Sequence, residues 1–203
     1  MLYARSDGRL NASHSHYTVD KWLLLNHIDA RNDILVRAYA TVIGTYCDPH
    51  GPVFVPALGL NMAFFRGLLA TCFPRFIAPT SWLNEQGAAP GSDGALAEFP
   101  DLLQLLLEHL AVSDEHHRCV AHLVATACMG NDHLWQDLGL PNRNALSVLL
   151  ATHFPVLAAK NTGNMKWKKF FYKQLCEREG IHACRAPSCA ACCDYEKCFG
   201  AED

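Results

Sequence analysis

Four cysteines close to the C-terminus, Cys184, Cys189, Cys192 and Cys198, stand in the pattern C-x4-C-x2-C-x5-C. Thiolates this dense are soft ligands suited to metal. The two-residue gap between Cys189 and Cys192 lets one short turn aim both sulfurs at a common point, and the longer gaps let the chain wrap something larger than a single ion. Pro187 keeps the first gap out of a helix. The opening C-x4-C-x2-C run is the local spacing of plant-type iron-sulfur sites, whereas structural zinc more often takes two C-x2-C pairs. Spacing therefore favours iron-sulfur and leaves zinc open. Cys193 sits beside Cys192 and could replace it, pair with another thiol or point away. Ten cysteines would also permit a disulfide knot. That arrangement belongs to small secreted domains that cannot build a core, and half of this chain is hydrophobic.

The residues leading into the cysteines, 164–179, read NMKWKKFFYKQLCERE and end at Gly180, a helix stop. On a helix, Lys166, Lys169 and Lys173 share one stripe, and Trp167, Phe171 and Leu175 share another. The aromatic stripe reads as core. The lysine stripe reads either as a solvated face or as positive charge that offsets an anionic thiolate site. Cys176 is a spare thiol on the same helix, so Cys193, Cys176 and the three lysines are accessory candidates. Farther upstream, in the segment 114–133, Glu115, Cys119 and His122 follow at helical spacings of four and three and could present a second metal site on one face. Ordinary solvated histidines are the competing reading there. His133 reads as a hydrogen-bonding core residue or as part of the site chemistry.

These groups need a scaffold, and the pattern predicts an all-α one. The expected organisation is a single helical domain over 20–203, preceded by a flexible lead-in at 1–19 that lacks the apolar stretch of a secretory signal. Shifting the sequence by 81 positions places Asp20, Leu24, Asp33, Arg37, Ala40, Thr45 and Cys47 on Asp101, Leu105, Asp114, Arg118, Ala121, Thr126 and Cys128. Asn61, Leu68, Leu69, Thr71, Phe73 and Pro74 fall on Asn142, Leu149, Leu150, Thr152, Phe154 and Pro155 in the same register. An internal duplication is expected, with repeat units at 20–84 and 99–163, a Gly/Ala/Pro-rich linker at 85–98, the basic helix at 164–179 and a cluster-binding segment at 180–203. Each unit reads as about three helices, here Trp22–Ile28, Ile34–Val42 and Phe64–Cys72 in the first. Asp33, Asp114, Asn61 and Asn142 are expected N-caps, and Pro74 and Pro155 mark the ends of the third helices.

Function classes narrow accordingly. A net charge of -3 argues against general nucleic-acid binding. The apolar run Leu102–Leu107 is broken by Gln104 and followed by Glu108, which excludes it as a membrane span. A cytoplasmic location is expected, where reducing conditions keep thiols free for metal. No P-loop, dinucleotide fingerprint, serine nucleophile elbow or HExxH motif occurs, so the chain reads as a non-enzyme.

The stretches HLWQDLGL (133–140), MKWKKFFYKQLCE (165–177) and CRAPSCAACCDYEKCFG (184–200) together resemble the NifQ family of nitrogen-fixation proteins. The likeness is strong from about Asn131 onward and looser before it. The resemblance implies an iron-sulfur metallochaperone that binds molybdenum and donates it to iron-molybdenum cofactor assembly. The family's four-cysteine hallmark maps onto Cys184, Cys189, Cys192 and Cys198, with Cys193 outside it. Implied partners are the nitrogenase cofactor scaffold complex and the nitrogenase reductase protein, with no nucleic acid and no membrane. An electron-transfer iron-sulfur protein and a helical module with structural zinc are the alternatives.

Overall fold

The computed structural model describes residues 33–48, 53–78, 96–180, 192 and 195–202, and among them it contains helices and no strand. The lead-in 1–19, the expected helix Trp22–Ile28 and most of the linker lie outside the described residues. Helix α1 is Ile34–Tyr46 and α2 is Met62–Cys72, separated by a tight turn at Pro56–Gly59. Then come α3 (Phe99–Leu107), α4 (Glu115–Cys128), α5 (Leu134–Asp137), α6 (Arg143–His153), α7 (Pro155–Ala159), α8 (Trp167–Arg178) and α9 (Tyr195–Phe199).

Helix α4 is the hub. Its sequence after the first turn is small and apolar, and Val120, Ala121, Leu123, Val124, Ala125 and Ala127 are fully buried. The alanines let α1 and α3 approach closely, and both pack on it. The buried Thr126 hydroxyl donates to the His122 carbonyl at 2.8 Å, so this polar group costs little inside the core. Helix α8 lies against α3, and one hydrophobic core joins all these elements.

Helix starts follow the expected caps. Asp33 accepts from the Leu35 and Val36 N–H groups at 2.9 and 3.2 Å, and Asp114 accepts from His117 N–H at 2.8 Å. Asn61 and Asn142 do the same for Phe64 and Ala145 at 3.0 and 2.9 Å. Helices α2 and α6 begin and end at positions 81 apart, and both stop on a phenylalanine in nearly the same conformation, Phe73 at φ -135, ψ 62 and Phe154 at φ -136, ψ 56. The preceding Leu-Gly-Leu turns place Gly59 at φ +70 and Gly139 at φ +63, a left-handed geometry that favours glycine. A side chain at Gly59 would strike the Phe99 ring, and one at Gly139 would strike Thr41.

Three expectations need adjustment. The second unit has five helices, because the short α5 follows α4 and Pro155 also opens α7 as its first residue, where a missing N–H costs nothing. The basic helix begins at Trp167, since Asn164 takes a positive φ of 54 and Lys166 becomes the cap. Within the expected linker, Leu96 is buried and joins the core, so the Gly/Ala-rich composition overstates that segment's length.

Candidate metal-binding segment and its docking site

Cys184, Cys189 and Cys193 lie outside the described residues. Cys192 and Cys198 are described, free and half-buried, and they flank and end the short helix α9. The Tyr195 N–H donates to the Cys192 carbonyl at 3.3 Å, and the Cys198 carbonyl accepts from the Lys166 backbone N–H at 2.7 Å. The Lys166 side chain also donates to the Glu196 carbonyl at 3.3 Å. Tyr195 and Phe199 stack at 4.5 Å, and the Phe199 ring covers Gly163. The segment is therefore docked against the loop that starts α8.

That loop is itself held rigid. The Asn161 side chain accepts from Met165 N–H and donates to Met165 C=O, both at 2.8 Å. Arg143, the first residue of α6, donates to the carbonyls of Asn164 and Met165 at 3.0 and 2.8 Å and pairs with Glu202 at 2.6 Å. His133 approaches the same carboxylate at 3.6 Å, and the Glu202 side chain is only 4% exposed. One guanidinium thus ties the loop and the C-terminal segment together, which suits its planar fork of donors.

Helix α8 buries Trp167, Phe171 and Leu175 as expected, along with Phe170. The Trp167 indole N–H donates to Ser147 Oγ at 3.2 Å. The three lysines of the expected stripe stand in different settings. Lys166 caps the helix, Lys169 is exposed, and Lys173 is exposed and pairs with Glu177 at 3.5 Å. Lys173 and Lys160 line an open groove of about 720 Å³ with Asn161, Gln174, Tyr195 and Phe199, on the α9 side of the helix. Cys176 is a free, half-buried thiol on α8 and does not line that groove.

Lys168 lies outside the lysine stripe, yet its side chain is mostly buried and partnered. Its ammonium bonds the Gly130 carbonyl at 2.8 Å and pairs with Asp137, whose other oxygen accepts from the Tyr46 hydroxyl at 3.3 Å. Burial raises the Asp137 carboxyl despite the opposing effect of Lys168. The signal was available: Lys168 precedes Phe171 by three residues and Leu175 by seven, on the buried side.

Glu115, Cys119 and His122 do not form a site. Glu115 is exposed, Cys119 is buried, and His122 Nδ1 bonds the Leu58 carbonyl at 3.0 Å. Burial lowers the His122 pKa, so this ring is a neutral structural donor. As the side chains stand, the described residues contain no His, Cys, Asp or Glu group arranged to hold a metal ion. The core thiols are poor metal ligands, because burial pushes Cys47 and Cys128 up to about 12 and keeps them protonated. Half-buried Cys192 and Cys198, in a four-thiol pattern at the edge of the core, have the donor chemistry of an iron-sulfur site.

A family profile described as NifQ matches residues 38–200, a range that contains all four pattern cysteines. The chain belongs to the NifQ family. Protein NifQ of Azotobacter vinelandii is 42% identical over 161 residues, covering 71% of this chain and 78% of that protein. Protein NifQ of Rhodobacter capsulatus is 42% identical over 172 residues, covering 73% and 92%. A NifQ homolog of Sinorhizobium fredii is 44% identical over 145 residues, covering 71% and 61%. No solved structure matches the chain. The NifQ range also takes in Arg143, Lys168 and the α8 loop, so the docking platform and the cysteines fall within one family unit.

Proposed function

We propose that this NifQ-family chain is an iron-sulfur metallochaperone of the cytoplasm, which takes up molybdenum and donates it to assembly of the iron-molybdenum cofactor of nitrogenase, without being an enzyme itself. The family belongs to nitrogen fixation, in the molybdenum supply of that cofactor. The observation that carries the finer reading is the four-cysteine pattern, inside the family match, whose last part is docked on the start of α8. Cys184, Cys189, Cys192 and Cys198 would hold the cluster. When bound, the cluster supplies the iron and sulfide framework to which molybdenum is attached.

The chain's own residues have separable roles. Lys166 holds the segment through its main chain and side chain, while Lys160 and Lys173 place positive charge near it, where an incoming molybdenum oxyanion gains from the field. Arg143 and Glu202 fix the far end. The cofactor scaffold complex and the nitrogenase reductase protein are the partners that this reading requires. No described helix is long and apolar enough to cross a membrane.

Metal analysis of anaerobically purified protein tests the reading. Brown protein with iron and bound molybdenum supports it. Iron that never takes molybdenum favours electron transfer, and colourless zinc protein favours a structural site; either result overturns the proposal.

A further inference from the structure

A second cluster of ligand side chains stands away from the cysteine segment. His116 and His117 lie in the first turn of α4, and His153 closes α6. Their rings form a nearly equilateral triangle, with centroids 5.3, 5.4 and 5.1 Å apart. Three imidazoles bound to one tetrahedral ion at nitrogen-metal distances of ~2.0–2.1 Å have ring centres about 5 Å apart. The triangle already has that size.

Two further observations give it direction. Asp114 Oδ1 lies 2.7 Å from His117 Nδ1, which places the proton on Nδ1 and leaves Nε2 with a lone pair. A carboxylate behind a histidine is the usual outer partner of a metal-bound imidazole. His153 Nδ1 is buried and makes no hydrogen bond, so the fold leaves an imidazole nitrogen in the cluster without a protein partner. Burial, reinforced by His116 and His117, holds His153 down at about 4, and the ring is neutral at ordinary pH. Neutral imidazole is the form that binds metal. The nitrogens do not yet converge on one point. Exposed His116 can turn about its side-chain bonds, and a half-turn of an imidazole exchanges its nitrogens with its carbons.

We propose that His116, His117 and His153 form a binding site for a divalent transition-metal ion of the zinc class, with Asp114 orienting His117 from behind. The ion would join the start of α4 to the end of α6, with its fourth position open to water. Neutral histidines beside a carboxylate suit a cation better than an oxyanion. The site is independent of the cysteine segment and of the proposed role in molybdenum transfer.

The test uses the full chain with Cys184, Cys189, Cys192 and Cys198 changed to Ser, which removes the competing thiols, with helicity checked by circular dichroism. Calorimetric titration with zinc should show one equivalent bound. His117→Ala and His153→Ala should weaken it at least tenfold, and Asp114→Asn, which retains the helix cap, should weaken it between about tenfold and a hundredfold. Cobalt titration of the unsubstituted chain provides a second readout if the serine chain misfolds: the difference between its spectrum and that of His153→Ala should contain visible cobalt bands without sulfur-to-cobalt charge transfer. Zinc affinity unchanged by the histidine substitutions, no zinc binding by the parent, or binding of molybdate in preference to zinc would overturn the site.

Discussion

The corner where α1 begins and α2 ends and the corner where α4 begins and α6 ends share a backbone plan and differ in chemistry. At positions 81 apart, Asp33 and Asp114 cap the first helix of each pair and Phe73 and Phe154 end the second. Between them, Leu35, Val36 and Cys72 in one corner stand where His116, His117 and His153 stand in the other. The first corner lines a cavity of about 410 Å³ with Tyr39 and with Glu115, His116 and Cys119 of α4, and burial there pushes the Cys72 thiol up to about 11. What the corners retain is the hydrogen-bonding that starts and stops a helix; what varies is the set of side chains that could meet a ligand. An internal duplication, as expected from the sequence, would produce this pattern, and superposing 33–78 on 114–159 is its direct test. Helices running in different directions in the two sets would end that reading.

The most severe way to break the asymmetry is to remove the chemistry confined to the second unit and its extension. Ser at Cys184, Cys189, Cys192 or Cys198 should abolish stable cluster binding with unchanged helicity, while Cys193→Ser keeps its iron; iron analysis and circular dichroism on the five variants decide. Next in size, Lys168→Ala should lower unfolding free energy by about 3 kcal/mol, because it leaves Asp137 buried without its cation. Denaturant titration measures this, and a change below about 1 kcal/mol would mean that the pair behaves as a surface one. Smaller and matched effects are expected from Asn61→Ala and Asn142→Ala, about 1 kcal/mol each. A large difference between them would show that the caps are not equivalent.

The last effect concerns pH. His153 is held near 4 in the fold, below the ~6.5 of an unfolded chain, so the unfolded state binds more protons between those values. Stability should therefore be full above about pH 6.5 and decline as pH falls toward 4. His122, lowered by burial, contributes in the same direction. Thermal midpoints of the metal-free protein and its His153→Gln variant, measured across this range, should show a shallower slope in the variant. Equal slopes would remove His153 as a source of the decline.

What was legible in the sequence was local. The caps at Asp33, Asn61, Asp114 and Asn142 each bond an N–H two or three residues away, and the Leu-Gly-Leu turns announce a left-handed residue by type. The buried stripe Trp167, Phe171 and Leu175 followed from helical period. The helix start was less legible: Asn164 takes a positive φ and delays it to Trp167, so Lys166 stands at the cap. Contacts distant in sequence were not legible: Arg143 meets Glu202, Lys168 meets Asp137, and the adjacent pair His116 and His117 gains its third ring from His153. Helical spacing can point only to ligands on one helix face, such as Glu115, Cys119 and His122, whereas the histidine triangle uses two helices.

The return of the chain to Lys166 has a consequence for how thiols can be gathered. The backbone leaves α8 at Gly180 and by Cys198 is hydrogen-bonded to the residue that precedes the same helix, so the cysteines ride on a span anchored at both abutments. Much of the entropy of bringing the span's ends together is spent in folding, and it does not fall again on metal capture. Under the proposed function, release of a metal would not require the carrier to unfold, because the contacts of Lys166 and Arg143 that fasten the far end lie at one edge of the helical body.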